Sequence, residues 1–339
     1  MTHRRSPDQR NFVDQFGRRI TYLRLSVTDR CDLRCTYCMA EHMQFLPRKE
    51  VLSLEELYRL ATVFIDNGVR KIRITGGEPL VRKNIMSLFR SLSRHLESGE
   101  IDEVTLTTNG TQLARYAHEL ADLGVTRVNV SLDTLNPERF RQITRLGNVE
   151  QVLQGIDAAL SAKLKVKLNV VAARGAFEDE VDDLIEFAHR RQMDLTFIEE
   201  MPLGAVAGDR TQTSLHLSDL CASLEKRWSL SDLSDCTGGP ARYVQVGETG
   251  GRLGFITPLS CNFCTLCNRL RIDCTGRLFT CMGDEGSVDL RETLRGSNGN
   301  DVLEQLIRET VFAKPKGHSF QLDGRQEAGI SRYMSTLGG

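Results

Sequence analysis

Residues 20–38 read ITYLRLSVTDRCDLRCTYC. In an extended chain successive side chains point to opposite faces, so Leu23, Leu25 and Val27 share one side of ITYLRLSV and Tyr22, Arg24 and Ser26 the other. The pattern returns in KIRIT (71–75), VTLTT (104–108), TRVNVSLD (126–133), VKLNVV (166–171) and LTFIEE (195–200). Between these strands lie amphipathic stretches such as LSLEELYRLATVFIDNG (52–68), with leucines at helical spacing and Gly68 as the stop. Six strand–helix units imply a parallel sheet with right-handed crossovers. The second face of the strands is polar and cationic: Lys71 and Arg73, then Arg127 and Asn129, then Lys165, Lys167 and Asn169. A closed barrel fills its interior with Val, Ile and Leu. The expected fold is therefore α/β, a six-unit partial (βα) TIM-like barrel with a basic lumen; an open sheet with a solvated second face is the alternative.

After Met201 the rhythm breaks. A loop of small and polar residues, MPLGAVAGDRTQTS, leads to a helical stretch around Leu215 to Trp228. ARYVQV and GRLGFITP then suggest a hairpin, and a cysteine-rich segment follows before a helical end and the tail STLGG. The expected division is a barrel over 1–205 and a smaller C-terminal iron–sulfur domain over 206–339.

Charged residues make up 26% of the chain and the net charge is −1, so no global field draws it to nucleic acid or membrane. The N-terminus lacks the apolar core of a secretion signal and no stretch reaches membrane-span length, so the expected location is cytoplasmic. Ten cysteines in that compartment point to metal or redox chemistry. Cys31, Cys35 and Cys38 form one group; Cys261, Cys264, Cys267, Cys274 and Cys281 form another; Cys221 and Cys236 stand apart.

A structural zinc site wants four ligands, whereas three thiolates on a four-iron cube leave one iron open to a small molecule. For the first group the alternative is a zinc site completed by His42 or a distant cysteine. In the second, Cys264, Cys267 and Cys281 make another three-thiolate set, with Cys274 a bystander. Cys261 keeps a four-cysteine zinc knuckle or a fully ligated cube open. Arg269 and Arg271, two apart, share a face beside it.

The Cx3Cx2C spacing with Tyr37 before the last cysteine, followed by TGGEP, resembles the radical S-adenosylmethionine superfamily. The resemblance implies a [4Fe–4S] cluster on Cys31, Cys35 and Cys38 that binds and cleaves S-adenosylmethionine. Tyr37, Gly76, Gly77, Glu78, Pro79, Ser131 and Met201 fall at its cofactor-binding positions. "KIRITGGEPLVRK", "TLTTNGTQLA", "VNVSLDTL", "GPARY", "FCTLCNRLRI" and the final Gly338-Gly339 extend the likeness over nearly the whole chain, to the GTP 3′,8-cyclases of molybdenum cofactor biosynthesis. That family implies a second [4Fe–4S] cluster on Cys264, Cys267 and Cys281 facing the guanine. It implies GTP contacts from Arg24, Lys71, Arg73, Thr107, Lys167, Arg269 and Arg271. It also gives Arg269, Arg271, Gly338 and Gly339 a part in catalysis. The implied reaction abstracts hydrogen from C3′ of the ribose, joins C3′ to C8 of guanine and yields 3′,8-cyclo-7,8-dihydro-GTP. A reductase or flavodoxin-type electron donor, the next enzyme of the pathway and a monomeric or homodimeric state belong to the same expectation. One position departs: Thr196 stands where the family carries a triphosphate-binding arginine, leaving open compensation by Arg127 or Lys165, or a divergent paralogue of lower GTP affinity. The other readings are a peptide-maturing radical enzyme with an auxiliary cluster and a non-enzymatic iron- or zinc-binding scaffold.

Overall fold

The computed structural model describes residues 11–173, 178–201, 215–234, 240–258, 264–296, 299–318 and 332–338. The first half alternates β1 (Tyr22–Ser26), α1 (Leu54–Asp66), β2 (Lys71–Thr75), α2 (Met86–Glu97), β3 (Glu103–Thr108) and α3 (Leu113–Asp122). It continues through β4 (Arg127–Ser131), α4 (Pro137–Thr144), α5 (Val149–Ser161), β5 (Lys165–Ala172), α6 (Val181–Arg190) and β6 (Asp194–Glu199). Local chemistry sets these boundaries. Ser53 accepts from the Glu56 amide while the Glu56 carboxylate accepts from the Ser53 amide, a reciprocal cap that starts α1. Asn136 and Asn148 cap α4 and α5 through their side-chain oxygens.

The second half supplies α7 (Leu217–Leu224), β7 (Leu230–Leu233), β8 (Arg242–Val246), β9 (Arg252–Ile256), β10 (Arg269–Ile272), β11 (Arg277–Phe279) and β12 (Val288–Asp289). The helices α8 (Arg291–Gly296), α9 (Asp301–Phe312) and the short α10 (Met334–Leu337) follow. None of the described helices is long and apolar enough to cross a membrane.

All twelve strands form one sheet in the order β12-β11-β10-β1-β2-β3-β4-β5-β6-β9-β8-β7. Strands β1 to β6 pair in parallel, as the six-unit partial barrel requires. The parallel run is longer than expected, because β10 adds in parallel to β1 and β9 adds in parallel to β6. The C-terminal half thus builds no sheet of its own; it extends both edges of the first. The alternating faces are as read: Leu23, Leu25, Ile72, Ile74, Val128, Val130, Val166 and Leu168 are buried in the core beneath the helices.

Candidate active site

The opposite face of the eight parallel strands lines one cavity, which also receives both cysteine triads and the C-terminal tail. Strand register arranges its cations in rows. Arg271, Arg24 and Arg73 stand directly opposite one another on β10, β1 and β2, and the same row continues through Thr105 to Arg127. Below it lie Arg269, Tyr22, Lys71 and Glu103. Above it run Thr107, Asn129, Lys167 and Asp194. Like charges on directly opposed strand positions destabilise a sheet, so this alignment serves something other than folding. Burial, and then Arg271, depress the pKa of Arg24 well below its usual value. Arg271 falls to about 10 through burial and then Arg269. The Glu103 carboxylate is shared by Lys71 at 2.6 Å and Arg127 at 2.7 Å. Buried polar atoms in the lumen still lack a hydrogen-bond partner: Arg73 Nε, Thr75 Oγ1, Thr107 Oγ1, Asn129 Oδ1 and Asn169 Oδ1. Such atoms are costly to bury unless a ligand satisfies them.

The first cysteine loop leaves the C-terminal end of β1. Cys31, Cys35 and Cys38 all line the cavity, and amide hydrogens are directed at sulfur: Leu33 N lies 3.4 Å from Cys31 Sγ, and the Ser335 amide of the tail donates to Cys38. The loop is tied down by residues distant in sequence. Asp32 accepts from Asn109 Nδ2 at 2.7 Å and Thr111 Oγ1 at 2.6 Å, and the Tyr37 hydroxyl donates to Asp133 at 2.7 Å. Burial pushes the Cys31 thiol up to about 12, with Glu78 and Asp32 adding to the rise, and pushes Cys38 up to about 11.

The second triad meets the cavity from the opposite side. Cys264, Cys267 and Cys281 line it together, beside Arg269 and Arg271. Lys314, fully buried, donates to the carbonyls of Arg269, at 3.2 Å, and Thr280. Burial would raise the Cys267 thiol, but Lys314 and then Arg269 outweigh it and the pKa falls. The two triads therefore sit in fields of opposite sign, acidic around the first and basic around the second.

Of the expected cofactor residues, Tyr37, Gly76, Gly77, Ser131 and Met201 line the cavity, whereas Glu78 and Pro79 do not. Glu78 is fully buried behind it, its carboxylate accepting from Leu80 N and Thr108 Oγ1, both at 2.9 Å, and from Asn109 N at 2.6 Å. It holds the glycine turn against β3, and burial raises its pKa to about 7. Of the expected substrate residues, Arg24, Arg73, Thr107, Lys167, Arg269 and Arg271 line the cavity; Lys71 stands outside it, engaged with Glu103. The Gly338 carbonyl accepts from Arg24 Nη2 at 2.9 Å and Arg271 Nη1 at 3.0 Å. Gly339 and Cys261 lie outside the described residues. Cys274 is buried away from the cavity, and His42 is exposed and also apart from it. Of the two candidates to compensate at Thr196, Arg127 lines the lumen and Lys165 is exposed.

Sequence reading missed Asn109, Asp133, Ser335 and Tyr243 as parts of this assembly. All four sit in quoted segments, Tyr243 in GPARY and Ser335 in STLGG; Asn109 and Asp133 also fall directly after strands, and that position was the available signal for those two.

The donor set has a definite fit. None of the described cysteines is in a disulfide, and among the described residues no three Cys, His, Asp or Glu side chains converge on a single ion. Two sets of three half-buried thiols that line the cavity give the donor number of a four-iron cube with one open iron, one short of a structural zinc site.

A parallel open barrel with a three-cysteine loop after its first strand and a glycine turn after its second defines the radical S-adenosylmethionine class. Residues 25–188 match the family model of the Radical SAM superfamily, and residues 193–320 that of Molybdenum Cofactor Synthesis C. Curated relatives named GTP 3′,8-cyclase are 59% identical in Mesorhizobium japonicum, over 97% of this chain and 100% of the relative, and 58% identical in Nitrobacter winogradskyi, over 97% and 96%. The chain belongs to the GTP 3′,8-cyclase family. Among solved structures, Streptococcus suis SuiB bound to S-adenosylmethionine shares the fold, with a TM-score of 0.60 at 16% identity over 94% of this chain and 77% of that one.

Proposed function

We propose that the chain is a radical S-adenosylmethionine GTP 3′,8-cyclase, converting GTP to (8S)-3′,8-cyclo-7,8-dihydroguanosine 5′-triphosphate in the first step of molybdopterin biosynthesis. The observation that carries the reading is the row of Arg271, Arg24 and Arg73, with Lys167 in the row above it, in a buried lumen between two cysteine triads. Four negative charges on a nucleoside triphosphate need fixed cations when they leave water. When bound, the first cluster and S-adenosylmethionine supply the radical that abstracts hydrogen.

The chain's own residues do the positioning. Gly76, Gly77 and Ser131 hold the cofactor beside Cys31, Cys35 and Cys38; Arg24, Arg73 and Lys167 fix the triphosphate; Thr107 meets the substrate. Arg269 and Arg271 lie under the second triad, where they face the base and steady the charge that develops as C3′ joins C8. The Gly338 carbonyl, held by Arg24 and Arg271, closes the lumen so that C3′ stays within reach of the radical and water stays out. Arg127, which also lines the lumen, is the residue we assign to compensate for threonine at 196. Residues 1–205 supply the six strand–helix units of the barrel, and 206–339 carries the second cluster and completes both edges of the same sheet. A flavodoxin-type donor or reductase brings electrons, the next enzyme of the pathway takes the product, and the setting is cytoplasmic, with the protein a monomer or homodimer.

The test is an anaerobic assay of cluster-reconstituted protein with S-adenosylmethionine, dithionite and GTP, scoring 5′-deoxyadenosine and cyclised nucleotide separately by mass spectrometry. Both products, dependent on GTP, are expected. Deoxyadenosine without cyclised nucleotide would move the substrate elsewhere.

A further inference from the structure

Behind the cationic rows lies an arrangement that substrate contact alone does not explain. Lys167 Nζ donates to the Tyr243 hydroxyl at 2.6 Å and stands 5.0 Å from the ring centroid. Tyr243 is fully buried, yet it comes from β8, outside the eight parallel strands, and it does not line the cavity. Its place is made by small neighbours. Tyr243, Gly254 and Thr196 are directly opposed on β8, β9 and β6. A Cβ at Gly254 would stand 2.9 Å from the Tyr243 ring and 2.7 Å from Thr196 Oγ1. The guanidinium of Arg252, two residues before Gly254, stacks on the same ring at 4.6 Å. A tyrosine gripped in this way has few rotamers left, and its hydroxyl offers Lys167 a neutral acceptor at a fixed point.

We infer that Tyr243 is a positioning residue, holding the Lys167 ammonium against the lumen wall and aimed at the triphosphate, so that β8 takes part in substrate recognition through a side chain that does not touch substrate. The inference deepens the cyclase reading and rests on it. The surroundings of Lys167 support it. Burial, and then Arg73 from β2 and Arg127 from β4, with Arg252 from β9, favour loss of its proton; Asp194 on β6 opposes them. The balance leaves its pKa at about 7. An arriving polyanion favours the ammonium and raises that value. Above pH 7, therefore, nucleotide binding takes up a proton, and affinity falls as pH rises toward the value in the complex. The Tyr243 hydroxyl accepts from the ammonium and so favours it; without that acceptor the fall begins at lower pH.

The experiment is anaerobic titration calorimetry of GTP into cluster-reconstituted protein between pH 7 and 9, in buffers of different ionisation enthalpy, comparing wild type, Tyr243→Phe and Lys167→Met. Tyr243→Phe keeps the ring and its stack, and melting temperature and iron content check the fold. Wild type is expected to show proton uptake and an affinity that falls with pH, both absent in Lys167→Met. In Tyr243→Phe the pH dependence moves to lower pH, and affinity at pH 7.5 drops about tenfold, as for a lost hydrogen bond to a charged group. Unchanged affinity and pH dependence in Tyr243→Phe, with wild type binding GTP normally, overturns this inference alone. Absence of GTP binding in wild type overturns the cyclase reading and the inference with it.

Discussion

At Gly338 the backbone has φ +76°, and a Cβ there would stand 1.9 Å from Thr75 Oγ1. Neither the angle nor the space admits a side chain. Gly338→Ala is expected to push the tail out of the lumen and strip its carbonyl from Arg24 and Arg271. Cyclised product should fall by at least about tenfold through lost positioning, while melting stays within about 2 °C of wild type, because the tail adds little to the core. Turnover unchanged in this variant would remove the tail from the mechanism. At this scale the sequence was most legible where chemistry restricts the choice of residue. Six cysteines and the strand arginines could be picked out because few side chains bind iron or anions. Tyr243 and Asp133 lie in quoted segments, but their roles could not be read, since their partners Lys167 and Tyr37 lie 76 and 96 residues away and no local pattern links them.

Elements carry the same lesson through length. The six parallel strands were readable because alternation over five or more residues is distinctive, and the β8–β9 hairpin because a glycine-rich turn separates two such runs. The two- to four-residue strands β7, β11 and β12 are too short to show a period. The second cysteine loop depends on an element with no motif at all, the segment before β1. There Arg18, ion-paired with Asp14, donates to the carbonyls of Cys264 at 2.7 Å, Pro315 at 2.6 Å and Lys316 at 3.0 Å. Arg18→Ala unpins that loop and takes the donor from three carbonyls, two of them half-buried. Iron content after reconstitution is expected to drop toward that of one cluster, with the loss confined to the second triad; a full iron complement would show that the clamp is dispensable.

The topology of the whole molecule was the least legible part, because strand order depends on pairings between halves of the chain. The expected boundary near residue 205 marks a change of rhythm, but β10 covers the edge of β1 and β9 covers the edge of β6. A fragment ending at residue 205 would leave both edges open beside an apolar core. We expect it to aggregate on size exclusion and to show no cooperative melt, whereas a soluble monomer with a sharp transition would make the first half an independent domain. The same interleaving matters during synthesis. The first six strands emerge from the ribosome well before their outer neighbours, and at about 5–20 residues per second the gap lasts several seconds. Throughout that interval Cys31, Cys35 and Cys38 are already made while the tail that later donates to Cys38 is not, so a delivery protein carrying an iron–sulfur cube would meet the first triad before its last protein neighbour arrives.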